Sequence, residues 1–205
     1  MKATYKGFEA KKSGGFTELP PVGVYVAEIK QVQFVPKKED WQRDAIEIFV
    51  EIIEGEYKNR FMEVWQNQKE QWGDKVSYKG IFRLIPFVDG DDDWRKRVFE
   101  GNLWCVQESN PGYSWDWDEK KLIGKKVGIN IRKRLYTGED KDGNPVDRET
   151  IEIGKFETIE DVRAGKCRPM KDNDKRKKHE NEDGTTGEGF TDVSSDTNVS
   201  VPWAN

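Results

Sequence analysis

Asp44-Ala-Ile-Glu-Ile-Phe-Val-Glu-Ile-Ile53, then Glu54-Gly-Glu-Tyr-Lys-Asn59, then Arg60-Phe-Met-Glu-Val-Trp65: two alternating runs flank a short polar turn, the pattern of a β-hairpin. In the first run Ile46, Ile48, Val50 and Ile52 share one face, because the strand period is two. Ala45, Glu47, Phe49 and Glu51 take the other. In the second run Met62 and Val64 share a face, opposite Phe61, Glu63 and Trp65. The aliphatic side is a core face. The opposite side carries Phe49, Phe61 and Trp65, three rings that a merely solvated face does not need. Either they bind something, or they pack under another part of the chain or against a second copy.

The 205 residues suffice for one domain of ordinary size plus extensions. With 36% charged residues against 34% hydrophobic, a modest core with long solvated segments is expected. No apolar run reaches membrane length, and Met1 to Phe8 lacks the apolar stretch of a secretory signal. The expectation is a cytoplasmic protein that engages no membrane. Cys105, Cys167 and the single His179 do not make the set of about four ligands that structural zinc requires. They also leave little for histidine-based nucleophilic catalysis. Asp91, Asp92 and Asp93, and Asp116 and Asp118 around Trp117, fall in predicted loops. A two-metal nuclease needs its carboxylates on a rigid frame, and a calcium loop spaces them differently. No metal, no cofactor and no enzymatic activity are expected.

The net charge of −4 hides a division. From His179 onward there is no Lys or Arg, while Glu180, Glu182, Asp183, Glu188, Asp192 and Asp196 give −6. Residues 1–178 carry +2. Acid is thus concentrated in a tail and the body is nearly neutral, an asymmetry more informative than the sum.

Along the chain, residues 1–21 read as an irregular arm, with a Gly pair and Pro20-Pro21. Gly23 to Val35 is a long strand, apolar on both faces for half its length. Residues 44–53 and 60–65 are the hairpin above. Val76 to Phe87 reads as a helix capped by Asp74, and Trp94 to Phe99 as a short helix capped by Asp93. Leu103 to Gln107 reads as a short strand. Asn110 to Asp118 holds Tyr113, Trp115 and Trp117 in a turn-rich loop, either a platform for a sugar or base or rings folded back as a small core. Residues 125–136 and 148–156 form a second hairpin around Asp142-Gly-Asn-Pro145. Its first strand aims Lys126, Asn130, Arg132, Arg134 and Tyr136 to one side, and Val127, Ile129 and Ile131 to the other. Thr158-Ile-Glu-Asp161 is a capping box for a short helix ending at Gly165. From about Arg168 periodicity is lost, and a disordered acidic tail is expected over 168–205, with an apolar tip at Val201, Pro202 and Trp203.

This element order resembles that of an OB-fold, a five-stranded barrel with a helix between strands three and four. The expectation is a mainly β protein: an OB-fold domain over 22–167, with an insert at about 66–124 between strands three and four. Such barrels bind oligonucleotides around strands two and three. Phe49, Phe61 and Trp65 would then stack bases, with Arg60, Lys126, Arg132, Arg134 and Tyr136 near the phosphates. Glu47, Glu51 and Glu63 on the same face oppose that reading.

The chain also resembles the single-stranded DNA-binding proteins of bacteriophages. The likeness is carried by Leu19-Pro-Pro-Val-Gly-Val-Tyr-Val-Ala-Glu-Ile29, by Glu54-Gly-Glu-Tyr-Lys-Asn-Arg60 after an alternating strand, by Gly124-Lys-Lys-Val-Gly-Ile129 before a basic one, and by an acidic leash with a Pro-aromatic tip. Asn59 stands where that family usually has Gly, and Ala204 and Asn205 follow the tip. The resemblance implies non-catalytic binding of single strands in phage DNA replication or recombination. It also implies a tail that recruits phage or host replication proteins through Val201, Pro202 and Trp203. The alternative is a protein–protein interaction module whose aromatic face is an interface, self-association included.

Overall fold

Strands β1 (Gly23–Val35) and β2 (Ala45–Ile52) pair antiparallel in a computed structural model that describes residues 18–39, 43–88 and 90–176. A bulge resolves the two-sided apolarity of β1. Ile29 lies opposite Val50 and Gln31 opposite Phe49, so Lys30 is the extra residue. The extra residue shifts the alternation by one. Tyr25, Ala27 and Ile29 before the bulge therefore share a face with Val32 and Phe34 after it. The same strand divides its partners, pairing with β2 over Ala27–Val35 and with β4 (Lys126–Glu139) over Gly23–Glu28.

β4 and β5 (Pro145–Glu157) form the second hairpin, longer at the turn end than the sequence implies. β3 (Ile81–Leu84) pairs with β2. The resulting order is β3-β2-β1-β4-β5, with a sixth strand, β6 (Asn173–Lys175), running parallel beside β4. Ile29, Ile48, Val50, Ile52, Ile129 and Ile131 are fully buried on the inner face. Also inside, Phe82 of β3 meets Phe156 of β5 with ring centroids 4.4 Å apart, bringing the two ends of the strand order together.

Residues 60–65 are not a strand. They open helix α1 (Arg60–Trp72), whose buried residues Phe61, Val64 and Trp65 follow helical spacing. The alternation of Met62 and Val64 is only two positions long, too short to outweigh that period. α1 lies over the outer face of β2. There Phe49, Phe61 and Trp65 are 0%, 1% and 7% exposed, and Tyr78 joins them with centroids 6.3 Å from Phe49 and 6.1 Å from Phe61. Burying each of these side chains contributes about 1.5–3 kcal/mol. Asn59, just before the helix, has φ 60°. Only Gly, and next to it Asn, adopts that left-handed backbone at small cost, which suits Asn to this position.

The outer-face glutamates have structural partners. Glu47 pairs with Arg83 across β2 and β3 at 2.7 Å, and Glu63 lies 3.5 Å from Arg60 on α1. Glu51 is 3% exposed and accepts from the N–H groups of Ile52, Phe61 and Met62 at 3.0, 3.2 and 2.7 Å. A carboxylate here satisfies orphan donors at the positive end of α1. The Tyr78 hydroxyl lies 2.9 Å from Glu51 Oε2 and 2.8 Å from the Val50 carbonyl.

The turn that brings Tyr78 over β2 depends on Gly80. A Cβ there would stand 2.5 Å from the Val50 carbonyl oxygen and 2.8 Å from both Phe61 and Tyr78. Gly80→Ala is expected to lower stability by about 1–3 kcal/mol, read as a shifted urea midpoint. An unchanged midpoint would show that α1 yields without cost.

Three other expectations fail for local reasons. The helix drawn over 76–87 is a 3₁₀ turn (Gly73–Lys75) followed by β3, where Phe82 and Leu84 alternate inward. The short helix and short strand drawn over 94–107 are one helix, α2 (Asp93–Ser109). Asp92, not Asp93, caps it, accepting from Arg95 N–H at 2.9 Å. Phe99, Leu103 and Val106 make its buried face, which is helical spacing carried through Gly101. The segment after Arg168 is ordered at least to β6, held by backbone pairing to β4 that needs no apolar residues. The capping box is present: Thr158 Oγ1 accepts from Asp161 N–H at 3.1 Å to open α3 (Ile159–Arg163).

Candidate functional site

The expected base platform is buried. Phe49, Phe61 and Trp65 form the contact between β2 and α1, and no ring of theirs faces solvent as a stacking surface. Arg60 sits at the start of α1, its guanidinium carbon 5.4 Å from the Tyr57 ring centroid. Lys126 is exposed at the first position of β4, where Glu28 of β1 is its register partner. The expected aromatic and basic residues therefore divide between two places.

The basic residues do converge, on the part of the β4–β5 hairpin that extends past β1. Cross-strand partners share a face. Arg132 pairs in register with Glu152, Arg134 with Thr150 and Tyr136 with Arg148 on one side. On the other side β6 sets Asn173 against Arg134 and Lys175 against Tyr136. One outer face thus carries Arg132, Arg134, Arg148 and Lys175 around Tyr136, with Glu152 as the acid among them. Lys133 belongs to the opposite face and lies 3.6 Å from Glu149.

Glu152 organises this face. Its Oε1 accepts from Arg132 Nε at 2.7 Å and from the Asn173 amide at 2.8 Å. Its Oε2 lies 4.0 Å from Arg134 Nε, a buried donor with no hydrogen-bond partner. The Arg134 guanidinium also stands 5.9 Å from the Tyr136 ring centroid. Arg148 is exposed and donates to the Glu139 carbonyl at 2.5 Å. Glu152 is one carboxylate among three arginines, Arg132, Arg134 and Arg148. The face presents fork-shaped donors next to a ring, a chemistry suited to phosphate groups with an unpaired base nearby.

Sequence reasoning finds Arg132, Arg134 and Tyr136 by alternation but misses Arg148 and Lys175. The register of Arg148 was available by counting back from the turn. Lys175 gives no such signal, because a three-residue parallel strand leaves no pattern.

A second aromatic group lies on α2. Phe99 stacks on Trp117 at 5.7 Å and 18°, and Trp115 and Phe87 stand 6.0 Å from Trp117. The 110–118 loop has folded its rings onto the domain. The acidic residues nearby have structural roles. Asp91 accepts from Arg43 at 2.7 Å and from Val88 N–H at 2.9 Å, and Arg43 first, then the Val88 N–H, hold its carboxyl down at about 2. Asp116 pairs with Lys121, which lowers its carboxyl as well. Both thiols are free, Cys105 buried and pushed up to about 11 by that burial. Among the described residues no group of three or more His, Cys, Asp or Glu is placed to hold a metal ion, and no helix is long and apolar enough to cross a membrane. His179, Val201, Pro202 and Trp203 lie outside the described residues. No protein-family model matches the chain, and no characterised protein matches its sequence.

Proposed function

We propose that this protein binds single-stranded DNA with little sequence preference, without catalysis, on the outer face of the β4–β5–β6 arm. The observation that carries the reading is the convergence of Arg132, Arg134, Arg148 and Lys175 around Tyr136 with Glu152 as the only acid in those register positions. Four cations favour a polyanion, and a ring beside them favours one with unpaired bases.

The strand order supports an OB-fold for the same domain. A long bulged β1 shared between β2 and β4, a helix between β3 and β4, and the Phe82–Phe156 contact between β3 and β5 all fit a small barrel. The DNA surface proposed differs from the one such barrels usually offer, because α1 occupies the outer face of β2. In the setting the resemblance implies, a phage protein in the host cytoplasm would coat single strands during replication or recombination. The acidic segment from Glu180 would recruit partner proteins through Val201, Pro202 and Trp203.

Titration of fluorescent oligo-dT at two salt concentrations tests the proposal. The expected result is binding that weakens as salt rises, with a log–log slope of about −0.7 per phosphate engaged. No binding at low salt would overturn it and favour the interaction module.

A further inference from the structure

With Phe49, Phe61 and Trp65 buried, the proposed DNA-binding surface has one ring, Tyr136, beside its cations. Exposed rings are found elsewhere. Trp104 is 52% exposed on α2, and Trp117 is 60% exposed in the loop that follows. Between them opens a cleft of about 320 Å³, walled by Phe87, Phe99, Leu103, Trp104, Trp115 and Trp117, with Glu100 and Gln107 as its polar residues. That volume is at the lower end for small-molecule sites (about 300–1,000 Å³) and has room for one planar ring system.

Three features distinguish this cleft from a core that failed to close. Trp117 has φ 67°, a left-handed backbone that a bulky residue rarely adopts. Strain of that kind persists where surrounding structure enforces it, and it accumulates at binding sites. Here it holds one indole stacked on Phe99 while leaving most of the ring exposed. The Trp115 indole N–H is buried and has no hydrogen-bond partner. Such a donor costs free energy until an acceptor arrives. Gln107 accepts through its side-chain carbonyl from the Trp115 backbone N–H at 2.8 Å, which leaves its amide nitrogen to donate. The rim adds a cation: Lys96 Nζ lies 5.8 Å from the Phe87 ring centroid and 3.9 Å from Glu100.

We propose that this cleft is a nucleobase pocket, in which one unstacked base of a bound single strand inserts between Trp104 and Trp117. The rings supply faces for stacking. The Gln107 amide donates, which matches a base edge that carries a carbonyl acceptor, as thymine does. Lys96 exchanges Glu100 for the phosphate next to the inserted base. The proposal rests on the single-strand reading above and assigns the base-binding component to α2 and its loop.

The test compares full-length protein binding to a dT oligomer and to an abasic oligomer of equal length, which keeps the phosphates and lacks the bases. Wild type is expected to prefer the dT oligomer by roughly tenfold or more. Trp104→Ala removes an exposed ring that leaves the core intact. Trp117→Gly removes the other while suiting the left-handed backbone. Each is expected to erase most of that preference and leave abasic binding unchanged. A preference that persists in both variants overturns the pocket and leaves the single-strand reading standing. Failure of wild type to bind either oligomer overturns both. Loss of dT and abasic binding in equal proportion would show that the rings support the fold only, which also overturns the pocket.

Discussion

Replacing Glu51 with alanine is expected to cost about 3 kcal/mol or more of folding stability. The N–H groups of Ile52, Phe61 and Met62 all donate to this carboxyl, and the Tyr78 hydroxyl lies against it. The site is 3% exposed, so water has little access to replace the lost acceptor. Each buried donor left unsatisfied costs about 1–3 kcal/mol. The loss falls on the start of α1, and through Phe61 and Trp65 it reaches the packing against β2. Urea denaturation followed by far-UV circular dichroism measures it. A loss below about 1 kcal/mol would show that the helix is held by its apolar face alone.

The same residue gives a pH dependence with a definite sign. Burial pushes the Glu51 carboxyl up from its ordinary value of 4.5, and the hydrogen bonds from Tyr78, Met62, Ile52 and Phe61 only partly oppose it. Between the unfolded and folded values, the folded protein binds more protons than the unfolded chain. Stability from this group therefore falls as pH rises from 4.5 through the folded value. Asp91 and Asp116 have lowered carboxyls and act in the opposite direction. The wild-type profile therefore needs a reference. Glu51→Gln supplies it, since it removes this titration and leaves those of Asp91 and Asp116 in place. The stability of wild type minus that of Glu51→Gln is expected to decline across the window just above pH 4.5. A flat difference would place the Glu51 proton in water in both states.

The strands were legible where alternation ran for eight or more residues. β1, β2 and the β4–β5 hairpin all follow from Ile, Val and turn chemistry, to within a few residues. Short alternations misled. Arg60 to Trp65 satisfies a strand pattern and a helix pattern equally well over six residues. The decision was made by Glu51, nine positions earlier in the chain, which caps the helix. No local reading contains that contact. The face of Phe49 was read correctly and its occupant was not. The alternation showed that Phe49 points away from the Ile face, but not that α1 covers it. The three glutamates that opposed a DNA platform were the better signal, because acids interspersed with rings on a strand call for helix N-termini and arginines as neighbours. On the basic arm, Arg132 and Arg134 were legible from alternation alone. Lys175 came from a segment whose composition predicts no order, because backbone pairing to an open edge requires no apolar side chains.

The largest effect on function is expected from removing two charges of the arm. Arg134 and Arg148 face outward on neighbouring strands, two register positions apart along β4. Arg134 has an unpartnered Nε, and Arg148 bonds a backbone carbonyl, so neither is consumed by a carboxylate at short range. The double variant Arg134→Gln, Arg148→Gln keeps polar side chains at both positions. It also leaves Glu152 its bonds from Arg132 and Asn173. Folding stability is expected to change by no more than about 1 kcal/mol, as for surface substitutions that disturb no buried network. A charge-assisted hydrogen bond contributes about 1.5–3 kcal/mol. Affinity for a dT oligomer at low salt is therefore expected to fall by about a hundredfold or more. The salt slope separates this cause from others. Losing two phosphate contacts reduces the log–log slope by about 1.4, whereas a perturbed fold weakens binding and leaves the slope of the remaining protein unchanged. Lys75→Gln, at an exposed turn after α1, is the control and is expected to alter neither quantity. Wild-type affinity and slope in the double variant would move the phosphate track off the arm. Reduced affinity with an unaltered slope would make the arginines supports of the hairpin and not ligands of the strand.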